Sequence, residues 1–110
     1  MNANLSNELF ATSELIPAIV QDAKTLQVLM LGWMNRESFE MTQKTKLCTF
    51  FSRSRQKLWV KGESSGNFLH IVEMFYDCDS DCLLVKASPD GPTCHTGNTS
   101  CFYREIKSEE

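Results

Sequence analysis

Leu15-Ile-Pro-Ala-Ile-Val-Gln-Asp-Ala-Lys-Thr-Leu-Gln-Val-Leu-Met-Leu-Gly-Trp33 decides the fold. Its apolar runs, residues 15–23 and 26–33, read as two strands, and Asp22-Ala-Lys-Thr25 between them reads as a polar turn. Asn35 follows as a helix N-cap, and Glu37 falls in the first turn, where the helix dipole favours an anion. Met34 and Phe39 stand at the spacing of a hydrophobic staple. This helix should run to about Thr45, and no other is expected.

Downstream the pattern turns extended. Leu47 to Phe51, Phe68 to Tyr76 and Leu83 to Ala87 are rich in β-branched and aromatic residues, with a polar break at Lys61 to Asn67. A last strand is expected from Phe102 to Ile106. The reading is one helix among five to seven strands, a mainly β (α+β) domain. Residues 71–76 are apolar on both strand faces, with Val72, Met74 and Tyr76 opposite Ile71 and Phe75. In a small protein that implies a closed or strongly bent sheet, or a partner subunit covering one face.

The 110 residues leave room for one domain, large enough to bury a core without disulfides. Hydrophobic residues at 42% and charged residues at 23% are ordinary globular values. Eleven Lys plus Arg against fourteen Asp plus Glu give −3, which argues against a general nucleic-acid binder. No apolar run reaches the roughly 18 residues of a membrane span, and the start lacks the basic-then-apolar order of a signal peptide. A cytoplasmic location is the expectation.

Five cysteines are many for this length, and the odd number fits poorly with a secreted disulfide scaffold. Cys78, Cys82, Cys94 and Cys101 crowd the last third of the chain. Cys94 and Cys101 have six residues between them, too many for a zinc knuckle, but Gly97 permits a turn that could bring both thiolates to one centre. With Cys78 they make three soft ligands, the number a catalytic zinc site uses; Cys82 as a fourth would close a structural site. Spacing does not choose between these readings, or exclude that no metal binds. His95, beside Cys94, has the chemistry of a general base, a fourth ligand or a loop hydrogen-bonder. His70, inside an apolar strand, reads as an ordinary strand histidine.

Asp77-Cys-Asp-Ser-Asp81 is the densest chemical feature. If it continued the preceding strand, the three carboxylates would share one face, where a hard cation such as Mg²⁺ or Ca²⁺ would relieve their repulsion. An EF-hand fails on counting, since its sixth position would be Cys82 and its twelfth Ser88. The plain alternative is a solvated acidic turn.

Ser52-Arg-Ser-Arg-Gln-Lys-Leu-Trp-Val-Lys61 alternates with a period of two, which on a strand would place Arg53, Arg55, Lys57, Trp59 and Lys61 on one face. Guanidinium forks bind phosphate oxygens and an indole stacks on a base, so this face reads as a nucleotide site. The next loop adds Glu63 and hydroxyls, Ser65 among them, that could cradle a second anion.

Taken in order, Ser52-Arg-Ser-Arg-x-x-Leu-Trp-x-Lys-Gly-Glu-x-Ser-Gly66, Asp77-Cys-Asp-x-Asp81 and Cys94-His-Thr-Gly-x-x-Ser-Cys101 resemble the phosphoribosyl-AMP cyclohydrolase family of histidine biosynthesis. Ile19 to Asp22 and Val28 to Asn35 extend the resemblance to about residues 15–104. It implies hydrolytic opening of the adenine ring of phosphoribosyl-AMP at the N1–C6 bond by zinc-activated water, giving the formimino-aminoimidazole-carboxamide ribotide. It also implies an intertwined homodimer built on a bent-sheet pseudo-barrel capped by one helix. Zinc would take Cys94 and Cys101 from one subunit and Cys78 from the other, and Asp77, Asp79 and Asp81 would hold Mg²⁺. His95 would act as base, with Arg53, Arg55 and Lys61 on the two phosphates, Trp59 on a ring, and Glu63 and Ser65 on the substrate. Residues 1–110 would form a single domain without the C-terminal pyrophosphohydrolase domain some relatives carry. Cys82, Leu69 and Trp33 depart from the family pattern, and none is an expected ligand. The rival readings are a zinc-stabilised module that binds single-stranded nucleic acid and a purely structural dimerisation module.

Overall fold

The computed structural model describes residues 3–108. Helix α1 (Ala3–Leu9) precedes the hairpin of β1 (Ile16–Asp22) and β2 (Val28–Met34), after which comes helix α2 (Arg36–Thr45). The short strands β3 (Thr49–Ser52) and β4 (Lys57–Val60) form a second hairpin, and β5 (Leu69–Tyr76) and β6 (Leu83–Pro89) a third. The main sheet has the order β2-β1-β6-β5, antiparallel except for the parallel pair β1–β6, and β3–β4 form a separate two-stranded sheet. The architecture is small, mainly β and of α+β type. No helix among the described residues is long and apolar enough to cross a membrane.

Burial explains the arrangement. Along β1, Ile16, Ala18 and Val20 are buried, and along β6, Leu83, Val85 and Ala87, so one face of each central strand enters the core. Pro17 is tolerated in a central strand because the β6 pairing begins only at Ala18, past the amide that proline lacks. The two sheets pack together at Gly32, where a Cβ would lie 2.5 Å from the Phe50 ring. The segment leading into β3 is bonded to β5, through Cys48 N–H to Leu69 O at 3.0 Å and Ile71 N–H to Lys46 O at 2.9 Å.

Helix α2 starts as expected, with Asn35 Oδ1 accepting from Ser38 N–H at 2.8 Å while Asn35 N–H reaches Ser38 Oγ at 2.9 Å. Met34 and Phe39 are both in the core. The helix ends at Lys46 in left-handed conformation, its N–H on Thr42 O.

Four expectations are corrected. The described residues form two helices, because α1 supplies Leu9 to the core and lays Leu5 against it, with Phe10 just beyond its end; a seven-residue helix carries too short an apolar period to stand out in sequence. Residues 102–106 form no strand, and Phe102 and Ile106 are exposed. The basic stretch is not one strand, since a turn at residues 53–56 breaks it and Gln56 takes φ +54°. Residues 77–82 likewise turn between β5 and β6 instead of prolonging β5. Part of the apolar surface of β5 lies open, with Val72, Phe75 and Tyr76 exposed.

Candidate active-site cleft

The β3–β4 hairpin, the loop at residues 62–67 and the loop at 92–97 enclose a cleft of about 450 Å³, well inside the size range of small-molecule sites. Arg55, Trp59 and Lys61 reach it from the hairpin, Glu63 and Ser65 from the first loop, and Cys94 and His95 from the second. Trp59 is held by the buried Phe50 ring, 5.2 Å away between centroids, and the Lys61 ammonium sits 5.7 Å over its indole. The loop that follows turns at Gly62, φ +98°, where a Cβ would strike the Asn67 backbone at 2.5 Å. Arg53 is directed elsewhere. The turn carries its guanidinium 5.0 Å over Trp33, into a neighbouring groove that Trp59 also walls. Lys57 is exposed and does not line the cleft.

The second loop is wound tightly. Gly97 N–H donates to Cys94 O at 3.0 Å and Cys94 N–H to Asn98 O at 3.1 Å, a turn that Gly97 closes at φ +93°. Its far end is pinned to β2 by Cys101 N–H to Leu29 O at 2.8 Å and Ser100 Oγ to Val28 O at 2.7 Å. The turn thereby brings the Cys94 and Cys101 thiols near enough for each to shift the other's pKa.

The five thiols, all free, divide by environment. Burial pushes Cys48 up to about 12, which makes it an inert core residue. Cys94 is held below the usual thiol range, first by the Thr96 hydroxyl, whose Oγ1 lies 3.0 Å from the sulfur, then by Cys101 and the Lys61 charge. Asn98 Nδ2 donates to the Thr96 hydroxyl at 2.8 Å, leaving its proton for the sulfur. Cys101 is raised, by burial first and then by Cys94. Cys82 is also raised, by burial and by the Asp77 and Asp81 carboxylates. Among the described residues, neither Cys78, Cys82 nor His95 joins Cys94 and Cys101 in a group of three donors within 4.8 Å of one another. Two soft donors of the kind zinc takes thus stand on this loop.

Asp77, Asp79 and Asp81 do form such a group, exposed, with oxygens within 4.8 Å of one another. The turn gathers them, in place of the strand alternation read from sequence. Asp77 Oδ1 accepts from Asp81 N–H at 3.0 Å and Cys82 N–H at 3.2 Å, which lowers its pKa. Asp81 is raised, chiefly by its hydrogen bond to the Asp77 carboxyl and then by like charge. Three hard oxygens in one exposed turn fit a divalent cation such as Mg²⁺. His70 faces away from this chemistry, its Nε2 lying 2.9 Å from Asp90.

Two supporting residues were not picked out in sequence, Thr96 under the thiol and Asn67 beside Gly91. Thr96 carried a signal in principle, since a hydroxyl two residues after a cysteine can fold back on it. Asn67 shows itself only in three dimensions, where a Cβ on Gly91 would strike its Oδ1 at 2.6 Å.

The family model described as phosphoribosyl-AMP cyclohydrolase matches residues 30–103. Proteins named phosphoribosyl-AMP cyclohydrolase from Prosthecochloris aestuarii and Methanocella arvoryzae are 54% and 55% identical to this chain. The first match covers 91% of the chain and 73% of the relative, the second 86% and 80%. The histidine biosynthesis bifunctional protein HisIE of Xylella fastidiosa is 62% identical over 80% of the chain, which spans 43% of that relative's length.

Proposed function

Because this chain belongs to the phosphoribosyl-AMP cyclohydrolase family, we propose that it hydrolyses the adenine ring of phosphoribosyl-AMP at the N1–C6 bond, in histidine biosynthesis. One observation supports this above the others: Cys94 and His95 share a single cleft with Arg55, Trp59 and Lys61. A nucleotide-holding wall and a metal-holding loop are what ring opening of a nucleotide by water requires.

Arg55 and Lys61 hold the substrate's phosphates, because fixed cations at the cleft wall select for that charge. Trp59 packs on a flat ring, and Glu63 and Ser65 accept from and donate to the sugar hydroxyls. Arg53 lines the neighbouring groove, which Trp59 also walls. Cys94 and Cys101 hold zinc together with Cys78 of a second subunit in a homodimer. Zinc so held supplies a Lewis acid that lowers the pKa of water. His95 takes the proton of the water that attacks C6; the N1–C6 bond breaks, C6 becomes the carboxamide carbon and N1 takes up a proton. Asp77, Asp79 and Asp81 hold Mg²⁺.

The test is to incubate the zinc-loaded protein with phosphoribosyl-AMP and Mg²⁺ and to follow mass. A product heavier by one water, lost on zinc chelation and in Cys94→Ser, is the expected outcome. A folded, zinc-containing protein that yields none would sink the assignment. Near-normal turnover of His95→Ala across the pH range would remove His95 as the base.

A further inference from the structure

The acidic turn is tied to a part of the chain 72 residues away, where the Ser80 hydroxyl donates to Glu8 Oε2 at 2.5 Å, a charge-assisted bond at the short end of the range. Ser80 is the one residue of the turn with a left-handed backbone, φ +58°, a conformation that serine adopts only where its surroundings hold it. Directly after it, Asp81 and Cys82 present their N–H groups to Asp77 Oδ1. Glu8 is itself firmly placed. Leu9 beside it is in the core, the neighbouring Phe10 ring stands 6.1 Å from Phe39, and Arg36 of α2 donates to Asn7 at 2.9 Å. Helix α1 therefore runs as a strap from α2 to the acidic turn.

We propose that Glu8 is a positioning residue for that turn: through the Ser80 hydroxyl it holds the backbone in the form that gathers Asp77, Asp79 and Asp81, and so sets their affinity for a divalent cation. The proposal rests on the reading of these aspartates as the Mg²⁺ site.

The experiment titrates Mn²⁺ into the full-length, zinc-loaded protein, counting free Mn²⁺ by electron paramagnetic resonance, with Mg²⁺ as competitor. Asp79→Asn should abolish the site. Glu8→Ala and Ser80→Ala should each weaken binding about tenfold, the scale of one charge-assisted hydrogen bond, and the double variant no further. Glu8→Gln, which still accepts from the hydroxyl, should bind within about twofold of the parent. Without any cation, the Asp81 and Cys82 amides should exchange faster in the two alanine variants and not in Glu8→Gln. Parent-like Mn²⁺ binding by Glu8→Ala, with Asp79→Asn inactive for binding, would overturn the tether and leave the cation site standing. Loss in Glu8→Gln equal to that in Glu8→Ala would also overturn it, since charge and not position would then be what matters. If Asp79→Asn binds as the parent does, the cation reading of the turn fails and this inference falls with it.

Discussion

At the scale of residues, the cleft depends on small polar groups that fix larger ones. The Thr96 hydroxyl is aimed at the Cys94 sulfur, and Asn98 orients it. Groups that orient a metal ligand typically carry about 10–100-fold in metal affinity. Thr96→Val should therefore lower zinc affinity about tenfold while leaving urea stability nearly unchanged, which competition with a chromophoric chelator measures. Asp22 shows the same economy in a turn without chemistry, its Oδ1 accepting from Lys24 N–H at 2.8 Å and Thr25 N–H at 3.1 Å. The Thr25 and Lys24 amides hold its carboxyl below the usual value of 3.8. A depressed carboxyl stabilises the fold above its unfolded pKa and loses that contribution as pH falls through its folded one. The stability advantage of the parent over Asp22→Asn should thus be constant above about pH 5 and shrink below about pH 4. Solvent exposure keeps it under about 1 kcal/mol. Urea unfolding from pH 3 to 7 would show it, and an advantage that grew on acidification would refute the sign.

At the scale of elements, Gly32 is where strand packing meets the cleft. An Ala there needs the buried Phe50 ring to move, and Phe50 carries Trp59. Gly32→Ala should cost about 1–3 kcal/mol, as overpacking does, and should weaken nucleotide binding more than the surface variant Lys44→Ala; urea unfolding and a binding titration measure the pair. Elements with a strong local signal were legible in sequence. The β1–β2 hairpin, the Asn35 cap and the run of α2 to Thr45 stand where the apolar pattern put them. What failed was continuity. Alternation from Arg53 to Lys61 looked like one strand because no glycine or proline marks the turn, and Gln56 supplies the left-handed residue. Asp77 to Asp81 misled similarly, with Ser80 in that role. Such turns are fixed by side-chain bonds, Ser52 Oγ accepting from Arg55 N–H and Asp77 Oδ1 accepting from Asp81 N–H, which sequence spacing alone does not weigh. The cleft's composition was nonetheless legible, because motif residues distant in sequence, such as Trp59 and Cys94, converge on it.

At the scale of the whole molecule, the chain leaves apolar surface uncovered. Val72, Phe75 and Tyr76 are exposed on β5, an edge strand, and Leu31, Phe102 and Tyr103 are exposed elsewhere. An edge of this kind invites a second chain. Cys78 follows directly in the turn after β5 and is exposed, while Cys94 and Cys101 wait with two thiols. A zinc site shared between subunits makes a quantitative demand. Cys78→Ser and Cys94→Ser should each be inactive alone, since each spoils both sites of a homodimer. Refolded together, they form heterodimers in which one site draws Cys94 and Cys101 from the first variant and Cys78 from the second. That site is whole, and the other lacks two ligands. Random pairing makes half the dimers mixed, each with one intact site of two, so activity should return to about one quarter of the parent's. If all three thiols served one chain's own zinc, no pairing could restore a site, and the mixture would stay as inactive as its parts.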